Sequence, residues 1–265
     1  MEQITEIFYP AGGDHLHASL LLLLARALGD ISKEQAVFAE VIEMTYFAHT
    51  LHNSVKASDS TADSSLGVLL SNKAMILGGD FMIGNASIEC CRIGRVELVQ
   101  LLSFIIMNIS KGYCADITQG EVRSVVKQHC DILYYRTANL FANGCQGIAL
   151  LGKADQRAAF DFGYHFGMAF GLCAELKELF DGKVAMTSFP LLFASQKHPK
   201  LLQGGEAEEK VRTLILESQG LNWTRKLVLR HIEAALSVLS RLPQAEGVDG
   251  LRTVTLRLLS SLHIS

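Results

Sequence analysis

The chain contains little proline: 4 residues in 265, with none between Pro10 and Pro190. Average usage of about 5% would place roughly nine prolines in an interval of that length. Proline removes a backbone donor and clashes with the preceding helical turn, so its absence favours long uninterrupted helices. No alternating strand pattern and no fixed-period repeat is found, and we therefore expect an all-α protein.

An excess of charge of either sign is also lacking. Lysine and arginine number 24 and aspartate and glutamate 27, a formal net charge of −3. This balance argues against nucleic acid as a partner and against a polybasic membrane anchor. The longest apolar stretches fall short of the roughly 20 residues that a spanning helix needs, so we expect no transmembrane segment, and any membrane association would be peripheral.

Common signatures of catalytic and metal sites are missing. The sequence has no phosphate-binding loop, no nucleophile elbow, no H-E-x-x-H and no C-x-x-C pair. The six cysteines are therefore expected to be reduced thiols in helix cores. His49 and His52 lie three apart on one helix face, but with no carboxylate or cysteine nearby on that face we interpret them as structural histidines rather than as half of a metal site.

A leader segment is not visible at the start of the chain. No lysine or arginine precedes Arg26, whereas Glu2, Glu6 and Asp14 are acidic. Secretory and mitochondrial leaders have the opposite composition. The expectation is either a cytosolic protein or one whose targeting segment is missing from this chain.

Apolar periodicity divides the chain into helices. We expect them near residues 20–29, 33–55, 69–91, 96–109, 121–151, 154–180, 206–219, 223–242 and 250–263, with Ser32 and Gln35 forming a capping box. The segment 69–91 is apolar around its whole circumference, which predicts a helix buried on all sides. Gly78, Gly79 and Gly84 each cost about 1 kcal/mol relative to alanine in a helix, so they predict close helix packing there.

Four sequence blocks resemble those of the trans-isoprenyl diphosphate synthases. Residues 44–52 resemble the helix that ends in His-Asp-Asp-x-x-Asp, and residues 71–82 resemble Asn-Lys-x-Ala-x-Leu-x-Gly-Asp-Tyr. Residues 135–141 and 162–170 resemble Lys-Thr-Ala-x-Leu-Phe and Tyr-Gly-x-x-x-Gly-x-Ala-Phe-Gln. The resemblance runs from about Gly12 to the C-terminus. It implies an isoprenoid-synthase-type helical bundle around a central cavity, with a single domain over 1–265 that lacks the family's additional N-terminal helices and targeting segment.

The metal ligands of that family are not kept. Its synthases ionise an allylic diphosphate with about three Mg²⁺ ions held by two aspartate clusters. The first cluster falls at Asn53, Ser54 and Ala57, and the second falls at Ala174, Glu175 and Glu178. We therefore expect no catalytic group and no bound metal in this chain, and we interpret Glu175 and Glu178 as part of an ordinary solvated helix face.

The substrate-binding motifs are altered as well. The homoallylic Gly-Gly-Lys-Arg-x-Arg-Pro corresponds to Gly12-Gly13 followed by Asp14, His15 and His17, and an aspartate in place of lysine repels a diphosphate. Arg136 keeps a positive charge at the Lys-Thr position. The resemblance implies a residual diphosphate contact for it, while a surface or partner-facing role is the alternative for a lone cation.

Retained packing blocks beside lost ligands are similar to the pattern in the second, non-catalytic subunit of heteromeric decaprenyl and solanesyl diphosphate synthases. In this interpretation the glycines, Asn72-Lys73, Gly79-Asp80 and Phe170 are kept because they pack helices. The resemblance implies a heterodimer or heterotetramer with a catalytic synthase subunit that binds Mg²⁺, no cofactor in this chain, and contact with prenyl diphosphates through the complex. It also implies production of the ubiquinone side chain on the matrix side of mitochondria.

Two other functions stay open. One is an active enzyme that uses prenyl diphosphates with a metal site rebuilt from Glu175, Glu178 and His52. The other is a structural or regulatory homo-oligomer that holds a prenyl chain, without chemistry, in a tunnel near Phe47, Ala48 and Leu51.

Overall fold

The computed structural model describes residues 15–55, 66–115, 122–183, 188–203, 207–242 and 246–263, and every regular element in these ranges is helical. The α-helices are α1 Leu16–Leu28, α2 Lys33–Asn53, α3 Leu66–Arg92, α4 Val96–Cys114, α5 Val122–Leu133, α6 Asn139–Leu151, α7 Gln156–Phe180, α8 Phe189–Ser195, α9 Glu208–Glu217, α10 Gly220–Leu239 and α11 Glu246–Arg257. A π-helical turn, Tyr134–Ala138, joins α5 to α6, and 3-10 turns occupy Pro199–Gln203 and Leu258–His263. The all-α prediction is confirmed.

The start of α2 follows the predicted capping box. The Gln35 N–H donates to Ser32 Oγ at 3.1 Å, and the Ser32 N–H donates to Gln35 Oε1 at 2.9 Å. The Gln35 side chain also donates to the Ile148 carbonyl at 3.1 Å, which ties the first turn of α2 to α6. Asn53, the first of the three residues at the first aspartate cluster, is the last residue of α2.

The core lies where α1, α2, α6 and α7 meet. Large side chains that are fully buried there include Leu24, Phe38, Ile42, Phe141 and Phe162. A Cβ on Gly167 would come within 2.6 Å of Ala138 Cα, and one on Gly163 would overlap the Phe141 carbonyl. Glycine at these two positions therefore permits the close approach of α7 to α6, as the packing interpretation predicts.

The prediction that α3 is buried on all sides is wrong. Several of its large apolar side chains are 44–58% exposed, namely Leu69, Leu70, Ile76, Leu77 and Ile88. Only one side of α3 packs closely on the described core, where a Cβ on Gly79 would overlap the His52 ring, whereas Gly84 has nothing within 4 Å. Lys73 and Asp80 are exposed, so neither is retained for packing within this chain.

The expectation that all six cysteines lie in helix cores holds for half of them. Cys90, Cys145 and Cys173 are buried, Cys130 is half-buried, and Cys91 and Cys114 are exposed. All six are free thiols. The two exposed thiols lie on the solvent side of α3 and at the end of α4, where these helices leave the core. Among the described residues no helix is long and apolar enough to cross a bilayer.

Candidate functional site

A cavity of about 240 Å³ opens at the C-terminal end of α2. Helix α2 contributes Thr45, His49 and Asn53, which recur every fourth residue and so share one helix face. Helices α3 and α4 supply the apolar wall, which includes Ile83, Ile106 and Ile109. Phe47, Ala48 and Leu51, near which the homo-oligomer alternative expects a prenyl-binding tunnel, are not among the residues that line this cavity.

The mouth of this first cavity contains a triangle of hydrogen-bonding groups from α2 and α4. The Asn53 amide donates to Tyr113 Oη at 2.8 Å and to His49 Nε2 at 3.0 Å, and the last two atoms lie 3.1 Å apart. Burial, with smaller contributions from His52 and Arg136, lowers the pKa of His49 to about 4. The imidazole is therefore neutral at pH 7, and its Nε2 acts as an acceptor. Asn53 thus links two helices of this chain at the position where the family carries an aspartate.

The neighbouring first-motif positions make no such link. Ser54 donates its hydroxyl to the Thr50 carbonyl at 2.8 Å, which closes the last turn of α2. Ala57 lies outside the described residues.

Arg136 is held beside Tyr113 by the π-helical turn. Its Nε donates to the Gly112 carbonyl at 2.8 Å, and its guanidinium carbon lies 4.6 Å from the centroid of the Tyr113 ring. A Cβ on Gly112 would come within 2.8 Å of Tyr135 Cβ, so glycine permits this close contact between α4 and the turn. The side chain is half-buried, and its contact with a diphosphate stays a prediction.

A second cavity of about 210 Å³ lies on the other side of Tyr113 and Arg136, both of which line it. Its wall includes all three positions of the second motif: Ala174, Glu175 and Glu178. Tyr113 lines both cavities and therefore stands between them.

Glu175 is not part of a solvated helix face, which corrects the prediction for this residue. Its Oε1 lies 2.7 Å from His129 Nε2, and its Oε2 accepts the Phe189 N–H at 2.8 Å. The side chains of Glu175 and His129 are 12% and 6% exposed. The first turn of α8 lies against α7 at this point, which removes Glu175 from water, while Ala174 and Glu178 remain exposed as predicted.

The three ligands of the rebuilt metal site are not brought together. His52 lines the first cavity, and its Nε2 lies 3.3 Å from Asp80 Oδ1, whereas Glu175 and Glu178 line the second cavity. In the described part of the chain no three His, Cys, Asp or Glu side chains form a group that could hold a metal ion. The residues therefore do not fit the magnesium cluster of the family's chemistry.

His15 and His17 of the degenerate homoallylic motif lie at the start of α1. Glu43 accepts the Ala18 N–H at 2.8 Å and lies 3.8 Å from His15 Nδ1, and burial raises the pKa of Glu43. His17 is 4% exposed and stacks on the Phe141 ring at a centroid distance of 4.3 Å. Burial lowers the pKa of His17 to about 3, so this neutral ring packs in the core and is no cation for an anion site. Asp14 lies outside the described residues.

Sequence reasoning missed Tyr113, His129 and Glu43. Glu43 had a signal, a carboxylate within the apolar stretch of α2. Tyr113 falls beyond the expected end of α4, and His129 acquires its role only because Glu175 and α8 lie beside it.

The arrangement of helices around these cavities defines an isoprenyl diphosphate synthase fold. The crystal structure of a decaprenyl diphosphate synthase from Rhodobacter capsulatus matches with a TM-score of 0.84 at 18% identity, covering 98% of this chain and 90% of that one. At this identity the likeness concerns the fold. The family follows from the sequence, because residues 1–181 match the polyprenyl synthetase family and the chain belongs to it.

Several relatives of this chain are named as long-chain synthases. A probable mitochondrial hexaprenyl pyrophosphate synthase of Yarrowia lipolytica is 27% identical and one of Neurospora crassa is 30% identical, each over 87% of this chain. This chain spans 58% of the length of either relative. It is therefore a protein similar to long-chain polyprenyl diphosphate synthases, and the predicted family is confirmed.

Proposed function

We propose that this chain is a non-catalytic or regulatory subunit of a heteromeric long-chain trans-polyprenyl diphosphate synthase that supplies the ubiquinone side chain. Its partner is the catalytic synthase subunit, in a heterodimer or heterotetramer. The partner binds Mg²⁺, and this chain binds no cofactor of its own. Prenyl diphosphates are handled through the complex.

The observation that carries the proposal is that the side chains at both motif positions form hydrogen bonds within this chain. The Asn53 amide is bonded to His49 and Tyr113, and the Glu175 carboxylate is bonded to His129 and to a backbone N–H. A carboxylate that holds Mg²⁺ needs oxygen lone pairs directed at the ion. Here the first position has lost its carboxylate and the second directs both of its oxygens at protein donors, which supports a scaffolding role.

Exposed apolar side chains on α3 and α4 support an interface with a partner subunit. In addition to the exposed side chains of α3, Val96, Phe104 and Met107 on α4 are 52–66% exposed. Gly84 on α3 has open space around its Cα, which permits another helix to approach closely. Large exposed apolar surfaces are typical of obligate interfaces. We call the exposed apolar residues of α3 and α4 the α3/α4 surface.

The names of the relatives support the site of action. The two fungal relatives are named mitochondrial, and a solanesyl diphosphate synthase of Arabidopsis thaliana that is 26% identical is named chloroplastic/mitochondrial. We propose that this chain acts in mitochondria, on the matrix side.

Co-expression tests the proposal. The chain is produced alone and together with a long-chain polyprenyl diphosphate synthase that carries both aspartate motifs, and prenyl transfer is measured with Mg²⁺. We expect no transfer by the chain alone, together with co-purification and an active complex. Prenyl transfer by the purified chain alone would refute the proposal, and isolation of homo-oligomers without co-purification would favour the alternative homo-oligomer.

A matched pair of variants tests the α3/α4 surface. Phe104→Asp places a charge on this surface, and Trp223→Asp places one on α10, where Trp223 is exposed to a similar extent, 50% against 52%. We expect Phe104→Asp to prevent co-purification and Trp223→Asp to leave it unchanged. Equal effects of the two variants would show that α4 does not form the interface.

A further inference from the structure

A pair of histidines joins α7 to α10 away from both cavities. His165 on α7 and His231 on α10 face each other with their Nδ1 atoms 3.0 Å apart, and their ring centroids are 5.2 Å apart. Neither histidine lines the first or the second cavity. Glu175 follows His165 on α7 at a distance of about 15 Å along the helix axis, at 1.5 Å per residue. The histidine pair is therefore separate from both motif positions.

Both imidazoles are neutral at pH 7, so each can offer a lone pair. Burial is the main cause that lowers the pKa of His165 and of His231, and the pKa of His231 falls to about 4. In the hydrogen-bonded pair one Nδ1 carries a proton and the other Nδ1 accepts it. If that proton moves to Nε2 of the same ring, both Nδ1 atoms present lone pairs and no proton is released.

The distance between the two Nδ1 atoms suits neighbouring ligands of one metal ion. With metal–nitrogen bonds of about 2.0–2.1 Å, a separation of 3.0 Å corresponds to a nitrogen–metal–nitrogen angle of about 91–97°. A tetrahedral site would need a separation of about 3.3–3.4 Å. Angles near 90° are typical of Cu²⁺ and Ni²⁺ with nitrogen and oxygen ligands. Small changes in the side-chain torsions direct both lone pairs at the ion, with ring centroids about 4.7 Å apart.

The surroundings of the pair limit the affinity for a cation. Asp161 contributes a negative charge near His165, but it is paired with Arg157 at 3.0 Å, and the positive charge of Arg230 lowers the pKa of both histidines. No third His, Cys, Asp or Glu side chain completes a metal-binding group in the described part of the chain. Both histidines are half-buried, so water can fill the remaining coordination positions. A chelator should therefore remove the ion readily.

We propose that His165 and His231 form a binding site for one divalent transition-metal ion of the Cu²⁺ and Ni²⁺ class, with water completing the coordination shell. The ion is a structural clamp between α7 and α10 and takes no part in prenyl transfer. Because the two ligands meet only in the folded chain, the ion stabilises the fold. Such a site is independent of whether the chain pairs with a catalytic subunit.

Quenching of the single tryptophan by Cu²⁺ measures the binding. Trp223 precedes His231 on α10 by about 12 Å along the helix axis, and bound Cu²⁺ quenches indole fluorescence at such short range. The full chain carries Cys91→Ser and Cys114→Ser, because these two exposed thiols also bind copper. We expect saturable quenching by one ion per chain and its reversal by EDTA.

Competition between ions tests the geometry of the site. Ni²⁺ should displace Cu²⁺ more effectively than Zn²⁺ does, and Mg²⁺ should not compete, because imidazole is a poor ligand for it. Absence of saturable quenching in the folded chain would overturn the inference, and so would more effective displacement by Zn²⁺ than by Ni²⁺. Neither result bears on co-purification with a synthase, which tests the proposed function separately.

Three variants locate the ion. His165→Asn and His231→Asn each remove one ligand but keep a polar side chain, and each is expected to weaken Cu²⁺ binding at least about tenfold. His198→Asn, at a half-buried histidine between α8 and the following 3-10 turn, is the matched control and should leave binding unchanged. Circular dichroism melts establish that each variant is folded. Unchanged Cu²⁺ affinity in either folded His165→Asn or folded His231→Asn would place the ion elsewhere and overturn the inference.

Discussion

Replacement of Glu175 distinguishes a structural carboxylate from a metal ligand. In Glu175→Ala the imidazole of His129 loses its partner at 2.7 Å and the Phe189 N–H loses its acceptor at 2.8 Å. His129 is the more affected group, because its Nδ1 is already buried and has no hydrogen-bond partner among the described residues. Removal of one member of a buried, charge-assisted pair costs about 2–4 kcal/mol.

Thermal unfolding measures this loss. For a chain of this size about 1 kcal/mol corresponds to a shift of roughly 2–4 °C, so we expect Glu175→Ala to lower Tm by about 4–16 °C. Glu175→Gln retains an acceptor for the Phe189 N–H and should cost less than half as much in free energy of unfolding. Glu178→Ala, on the same helix but exposed, is the matched control and should change stability by less than about 0.5 kcal/mol.

Two other outcomes would contradict a structural role for the Glu175 carboxylate. If Glu175→Ala and Glu178→Ala have equally small effects, the bonds at Glu175 do not support the fold as we infer. If Mg²⁺ raises the Tm of the unmodified chain and Glu175→Ala removes that rise, the carboxylate is a ligand and the structural reasoning is refuted.

Three further predictions concern packing, pH and capping. Gly79→Ala should lower the free energy of unfolding by about 1–3 kcal/mol because its Cβ would overlap the His52 ring. Gly84→Ala on the same helix has free space around its Cβ and should raise the free energy of unfolding by up to about 1 kcal/mol. Urea titrations in which both variants change the free energy of unfolding in the same direction would contradict this. The pKa of His17 is about 3 in the folded chain against 6.5 in the unfolded chain, so between these pH values only the unfolded state binds the extra proton. The free energy of unfolding therefore falls as pH drops below 6.5, by up to about 1.4 kcal/mol per pH unit. His17→Phe should flatten this slope between pH 7 and 5, and an unchanged slope would contradict the assignment. Gln35→Ala removes half of the capping box and the bond to the Ile148 carbonyl, and should lower Tm by several degrees; no change in Tm would show that neither bond matters.

Local signals predicted much of the helical framework. The proline-free interval, the capping box of Ser32 and Gln35, and the glycines at 163 and 167 act over one or a few turns, or permit a close approach that any partner helix would require. Four blocks of residue types then indicated the family, which the match over residues 1–181 confirms.

The sequence by itself thus determined most of the helices, the family and the absence of aspartates at the first motif, but it did not predict the π-helical turn Tyr134–Ala138 within 121–151 or the helix Phe189–Ser195. Only the tertiary structure decided what replaced them: Asn53 reaches Tyr113 across 60 positions, and Glu175 reaches His129 across 46. It also decided that α3 has an exposed apolar side, which periodicity cannot reveal because that helix is apolar all round. The physical reason is the same in each case. The burial and the hydrogen-bond partners of a side chain depend on which helices pack side by side. The order of apolar residues along one helix is compatible with many neighbouring helices and so does not specify them.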